Sequence, residues 1–457
     1  MKSGLHRSLC HAASAATIFV FGAAPRTRPM RCVGMVLSAS LLLSVAGRAD
    51  WPQWRGAARD GKATGFNAPQ TWPKELAQKW KTAVGDGAST PALVGEKLYV
   101  FARQDGNEVT RCLEAATGKE VWQDKYEAQG ATGPASGFSG PRSSPAVADG
   151  KVVTLGVRGT VSCLDAATGK VLWRKDEFNG ATPNFFAASS PLIANGLCFA
   201  QLGGRDNGAI VAYDLTSGEQ KWKWTGDGSA YGSPVIMDVG GTKLIVALTE
   251  HKIVALAAGD GKLAWETPFA GQGMGAYNAA TPIVDGQTLI YSGSKRGVKA
   301  VKIEKEGDAL TAKELWSNPD ESVQFNTPVL KDGLLYGLTQ SNELFCIDAK
   351  DGKTAWTAPV AAAAPAPPAD APQGGGGRRG GGGGGMRGGG FGSIVDAGSV
   401  MLALTPSSEL VVFQPGKTYN EVARVKVADS PTHAYPVAAN NGLYIKDKDS
   451  VTLWAVN

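Results

Sequence analysis

One unit recurs along this chain about every 45 residues, a period that builds propellers or solenoids instead of a single layered domain. Each copy opens with Ser/Thr-Pro and an apolar triplet, passes through a glycine turn into two alternating strands, and closes on Asp-x3-Gly-x3-Trp. The clearest copy reads Ser144-Pro145-Ala146-Val147, Asp149-Gly150-Lys151, then Leu164-Asp165-Ala166-Ala167-Thr168-Gly169-Lys170-Val171-Leu172-Trp173. Openings fall at Pro91, Pro145, Pro191, Pro234, Pro282, Pro328 and Pro436, with a degenerate one at Ile394. Eight units of four short strands, without a convincing amphipathic helix, predict an all-β, eight-bladed β-propeller of four-stranded antiparallel blades.

The closing motif carries a packing argument. Glycine supplies the positive φ of a tight turn, and the constant Gly-to-Trp spacing keeps each indole on one sheet face, because strand side chains alternate with period two. Trp80, Trp122, Trp173, Trp222, Trp265, Trp316 and Trp356 are therefore expected to fill the gaps between blades. The ends complement each other: residues 436–457 supply three strands without a fourth, and Gln78-Lys79-Trp80-Lys81 supplies a fourth without its first three. Pairing these N- and C-terminal strands closes the ring and removes its open edges. A solenoid, the competing repeat fold, leaves both half-blades unpaired.

The repeat resembles that of pyrroloquinoline quinone (PQQ) enzymes and PQQ-like propellers, the resemblance being carried by Cys163-Leu164-Asp165-Ala166-Ala167-Thr168-Gly169-Lys170-Val171-Leu172-Trp173. Trp51-Pro52-Gln53-Trp54-Arg55-Gly56, with Arg59-Asp60-Gly61, is similar to the opening of exported bacterial PQQ-like propellers. The resemblance spans residues 50–457 and implies the fold. For function it implies either an alcohol or sugar dehydrogenase or a binding scaffold, as in the propeller lipoprotein of outer-membrane protein assembly.

Charge and composition narrow the rest. Lys2, Arg7, Arg26, Arg28, Arg31 and Arg48 face no acid within residues 1–49, so the net charge of +5 becomes −1 beyond them, and no nucleic-acid surface is indicated. The basic start, the apolar run from Met35 to Ala46 and the small-residue site Gly47-Arg48-Ala49 read as a secretory signal peptide cut before Asp50, with Met30 as an alternative start. A periplasmic or extracellular location follows, with no transmembrane segment after cleavage and a monomer as the expectation. Only His251 and His433 remain after the leader, which disfavours multi-histidine metal centres. Cys112, Cys163, Cys198 and Cys346 lie in apolar runs and read as small core residues, not as a disulfide framework. The Ala/Pro/Gly/Arg-rich stretch 361–392, broken by Arg378, Arg379 and Arg387, has nothing with which to build a core and reads as a disordered loop inserted between blades.

In a propeller the connection from one blade's outermost strand to the next blade's innermost strand passes near the axis, so residues just before each Ser/Thr-Pro ring one mouth of the channel. Here they include Arg142, Phe185, Phe186, Tyr231, Tyr277, Asn278, Phe325, Asn326, His433 and Tyr435. The candidate ligand-binding set is Arg142, Phe186, Tyr231, Asn278, Asn326 and His433: aromatic walls with a few polar groups suit a peptide or small molecule, or else plug the axis. No catalytic residue and no metal ligand is assigned. For a dehydrogenase, the resemblance implies a planar quinone on the axis, a Ca²⁺ ion and an aspartate base, with Asn278, Asn326 and Asp227 or Glu321 as oxygen donors. The adjacent cysteine pair of the family's alcohol dehydrogenases is missing, and no motif fixes the aspartate.

Other motifs fail on context. Gly271-x-Gly273-x-x-Ala276 lies between strands with no helix to meet a phosphate, and His433 has no identifiable nucleophile partner. His251 falls in a predicted hairpin turn as a surface residue. The 51–56 segment either clamps the ring or binds a partner. The resulting expectation is an exported, non-catalytic propeller that binds a protein, peptide or small ligand, with a PQQ- and Ca²⁺-dependent periplasmic dehydrogenase as the alternative.

Overall fold

The computed structural model describes residues 49–456 apart from 272, 274–276, 308 and 361–390, so the predicted leader and almost all of the Gly/Arg tract lie outside the described residues. Thirty-two strands form eight four-stranded antiparallel sheets, the blades of a β-propeller. Blade one comprises Ala92–Val94, Lys97–Gln104, Asn107–Glu114 and Glu120–Glu127, and the others follow in chain order. Blade eight closes the ring: Ala77–Ala83 pairs antiparallel with Ser450–Ala455, with Ala77 opposite Ala455 and Ala83 opposite Ser450. The predicted pairing of the chain ends is thus present.

The closing motif locks neighbouring blades. In blade two Gly169 sits at φ +74, and a Cβ there would come within 2.5 Å of the Trp122 indole of blade one. The same contact joins Gly118 to Trp80, Gly218 to Trp173, Gly261 to Trp222 and Gly352 to Trp316. Each of these indoles also donates its Nε1–H to a carbonyl of the following blade: Trp80 to Ala115, Trp122 to Ala166, Trp173 to Leu215, Trp222 to Ala258 and Trp316 to Ala349. Trp356 donates to Gly416 of blade seven. Blade five replaces the tight turn with the long hairpin Val298–Glu306 and Ala309–Asn318, so Trp265 packs instead against the apolar cluster of blades four and five. A small residue faces most of these indoles across the sheet, including Cys112, Cys163 and Cys346, which are buried free thiols as Cys198 is. Burial pushes the Cys112 thiol up to about 11, well away from reactivity at neutral pH.

Around the axis the opening motif makes a second set of bonds. The amide of Thr90 donates to the Ser144 hydroxyl at 3.1 Å, Ser144 to Ser190 at 2.9 Å, Ser190 to Ser233 at 2.9 Å, Ser233 to Thr281 at 3.3 Å and Thr281 to Thr327 at 2.8 Å. Blade seven, whose opening is degenerate, contributes no member. The Tyr435 phenol of blade eight reaches across it to accept from the Thr327 amide at 3.2 Å, and the Tyr435 amide returns to the Thr90 hydroxyl at 2.9 Å.

The N-terminal arm fills the mouth at the far ends of the inner strands. Its backbone exchanges bonds with Leu93 of blade one, Val147 of blade two, Asp396 of blade seven and Asn440 of blade eight. Arg59 donates to the Ser190 and Pro191 carbonyls, Trp54 to the Thr281 hydroxyl, and Arg55 to the carbonyls of Thr327 and Pro328. Arg55 is fully buried and Arg59 is 4% exposed. Near the closure, the three N–H groups of the buried Lys446 ammonium are shared among four carbonyls, those of Gly85, Gly87, Asp447 and Lys448, which ties blade eight to the strand that closes it.

The lock separates backbone strain from collision. Gly150 has φ +69 with open space around it, whereas Gly169 carries the Trp122 indole. Gly150→Ala is expected to cost about 1 kcal/mol, the left-handed penalty alone, and Gly169→Ala at least about 2 kcal/mol more because the indole must move. Chemical denaturation of the two variants checks the difference.

Candidate functional site

The opposite mouth is ringed by the connections that precede the inner strands, and seven of the eight place a half-buried aromatic ring there. Four rings form one stack. Phe138 lies 4.2 Å from His433, His433 4.5 Å from Phe391 at an interplanar angle of 10°, and Phe391 4.3 Å from Phe325, again at 10°. These four residues come from the connections before blades two, eight, seven and six. Across from them, Phe185, Tyr231 and Tyr277 meet edge to face, with centroids 5.0 Å apart for Phe185 and Tyr277 and 5.7 Å for Tyr231 and Tyr277. Offset and edge-on arrangements of this kind are the favoured geometries for aromatic pairs.

The polar groups of the mouth are held by backbone. Arg142 donates to the carbonyls of Ala135 and Phe138, both at 2.9 Å, which fixes the loop carrying Phe138. The Tyr231 phenol accepts from the Phe185 amide at 3.1 Å, and burial pushes it up to about 12, so it remains protonated. Burial, reinforced by the Arg142 cation, pulls the His433 imidazole down to about 4. It is therefore neutral at physiological pH and stacks as an uncharged ring. Phe186 sits at φ +68 with the Arg158 guanidinium 5.2 Å above its ring.

Of the six residues proposed from sequence, Arg142, Phe186, Tyr231 and His433 are half-buried at this mouth, while Asn278 and Asn326 are each only 2% exposed and serve the loops. Asn278 donates its side-chain amide to the carbonyls of Thr249 and Phe269, and Asn326 donates to that of Leu338. Tyr435 lies deeper, in the axial ring. Phe138, Phe391 and Arg158 escaped the sequence reading because they stand several residues away from an opening Pro, or before a degenerate one. His251 occupies a turn, as expected, and pairs through Nδ1 with Asp227 at 2.8 Å.

The oxygen donors considered for Ca²⁺ fall into two groups: Asn278 and Asp227 both bond Thr249, and Asn326 and Glu321 lie in the connection before blade six. Asp227 accepts from the Thr249 hydroxyl and the His251 amide, Asn326 donates to the Leu338 carbonyl, and the Glu321 amide is bonded to Asn318. Among the described residues no group of three or more His, Cys, Asp or Glu is arranged to hold a metal. A polar cleft of about 590 Å³ lies on blade three, between the connections that precede blades three and four, lined by Glu177, Arg205, Asp206, Lys223 and Asp227.

Comparisons with known proteins agree with the repeat. The model of the family described as outer membrane protein assembly factor BamB matches residues 105–358. Outer membrane protein assembly factor BamB of Burkholderia pseudomallei is 24% identical over 62% of this chain and 69% of that protein. Quinohemoprotein alcohol dehydrogenase of Comamonas testosteroni is 29% identical over 30% of this chain, an alignment that spans 19% of the enzyme. The crystal structure of that enzyme superposes with a TM-score of 0.64 at 16% identity, covering 89% of this chain and 80% of the enzyme chain. BamB from Moraxella catarrhalis superposes with a TM-score of 0.58 at 16% identity, covering 83% and 97% of the two chains. Both superpositions bear on fold alone. With more than half of its length inside the family match, the chain belongs to the PQQ-repeat β-propellers described as outer membrane protein assembly factor BamB.

Proposed function

We propose that this protein is an exported, non-catalytic propeller that binds a partner polypeptide at its aromatic mouth. The observation that carries this reading is the asymmetry of the two mouths. One is filled by the chain's own arm, with Arg55 and Trp51 fully buried, whereas the other presents half-buried rings from seven connections. Amphipathic rings on a rigid scaffold offer contact area at low entropic cost, the property of protein-binding anchors. The BamB relatives, named for outer-membrane protein assembly, support a protein partner, and the apolar run ahead of Asp50 supports export. The dehydrogenase alternative has the likeness to the Comamonas enzyme in its favour, but its candidate oxygen donors are divided between two groups and are already bonded to protein groups.

Partner capture from envelope extract tests the site. Tyr231→Ala and Phe391→Ala are each expected to weaken capture by about 1–3 kcal/mol, with melting temperatures falling less than for Trp173→Ala, which empties a buried gap between blades. Normal capture by both variants would move the search to the outer strands.

Acid supplies a second test. Since His433 is pulled from 6.5 to about 4, its contribution is fully present above pH 6.5 and is lost as pH falls through 4. The loss amounts to about 3 kcal/mol by linkage. His433→Phe preserves the stack without the titration, so denaturation at pH 7 and pH 4 is expected to show a smaller acid loss for the variant.

A further inference from the structure

We infer that the aromatic mouth selects acidic polypeptide, a segment in which carboxylates alternate with aromatic or aliphatic side chains. The inference rests on the mouth being a partner site and specifies the chemistry of that partner. Four half-buried arginines belong to this face: Arg103, Arg142, Arg158 and Arg296. None of them forms an ion pair with a carboxylate among the described residues, whereas Arg111, Arg174, Arg205 and Arg424 each do.

Their contacts place them around the rings. Arg103 packs on the connection that carries Phe138 and Arg142, lying against Gly130 and Gly140. Arg158 covers Phe186, and Arg296 lies 4.0 Å over Phe269 while donating to the Phe269 carbonyl at 2.6 Å and the Tyr277 carbonyl at 3.3 Å. Two acids act on these cations at longer range, Asp86 on Arg142 and Glu108 on Arg103, and their hydrogen bonds go to neutral donors: Asp86 accepts from the Ser139 amide at 2.7 Å and from its hydroxyl, and Glu108 from the Val157 amide at 2.7 Å and the Tyr126 phenol. The Nε–H groups of Arg103, Arg158 and Arg296 are buried without an acceptor.

A guanidinium held flat on an aromatic face keeps its geometry while its remaining N–H groups stay available, and it prefers a carboxylate to any neutral acceptor. Carbonyl acceptors orient these cations but do not neutralise them. Four guanidinium groups against the Asp86 and Glu108 carboxylates leave an excess of cation over an apolar floor, which a run of Glu or Asp interleaved with Phe or Leu would match in both respects. A neutral apolar peptide meets the floor alone, and a basic one is repelled.

Fluorescence anisotropy with three labelled twelve-residue peptides, alternating Phe with Glu, Gln or Lys, tests the selectivity on the protein beginning at Asp50. The Glu peptide is expected to bind at least tenfold more tightly than the Gln peptide and to weaken at least tenfold between 50 and 300 mM NaCl. Arg142→Gln combined with Arg158→Gln is expected to abolish the Glu preference while the thermal melt is retained, and Arg142→Lys with Arg158→Lys to restore a measurable part of it. Equal binding of the Glu and Gln peptides, or a Glu preference that survives in the double Gln variant, would overturn the inference. If no peptide binds while capture from envelope extract still depends on Tyr231, acidic selectivity fails and the partner site stands. If capture is also independent of Tyr231 and Phe391, both fail together.

Discussion

The hydroxyl ring at the axis is the interaction on which the rest of the molecule depends. A residue before proline is driven into an extended conformation, which starts each inner strand at the axis with its own amide free to donate sideways. Serine or threonine at that position supplies the acceptor for the neighbouring blade, so one dipeptide both launches a strand and joins it to the next. The device is missing from blades seven and eight: blade seven has no opening proline, and blade eight opens with Tyr435-Pro436. Tyr435 repairs it by spanning the gap with a long side chain, and Arg55 of the N-terminal arm reinforces the repair by donating to the Tyr435 phenol at 3.1 Å and to the Thr327 carbonyl at 2.8 Å.

The repair has consequences for function. Because Arg55 and Arg59 must reach the axis, the arm occupies one mouth and leaves the other as the face with half-buried rings. The same axial bonds fix the last residues of every connection but the one before blade seven, so most of the aromatic side chains a few residues earlier project from anchored positions. Asn278 and Asn326 extend that anchoring by tying their connections to carbonyls of neighbouring turns.

Much of the fold was legible because it is periodic. The Gly169-to-Trp173 spacing, repeated in other blades, announced the interblade lock, and the incomplete first and last units announced closure between Ala77–Ala83 and Ser450–Ala455. The second reason for Gly169, the indole of the preceding blade lying on it, follows from packing and was hidden from a turn-based argument. The site was legible in part. Position before an opening Pro located Arg142, Tyr231 and His433, but not the direction in which Asn278 points, since that depends on carbonyls 9 and 29 residues away. Phe391 stands beside a blade without the motif, and the arm's contacts join residues hundreds of positions apart, as between Arg55 and Tyr435. Neither carries a periodic signal.

Native-state hydrogen exchange at the ring amides of Thr90, Ser144, Ser190, Ser233, Thr281, Thr327 and Tyr435 tests most directly whether one axial ring holds all the blades as a unit. The account predicts that these seven amides exchange only through global unfolding, with a common free energy that Tyr435→Phe lowers at every one of them. Exchange blade by blade, with separate free energies and an effect of Tyr435→Phe confined to Thr327, would contradict it.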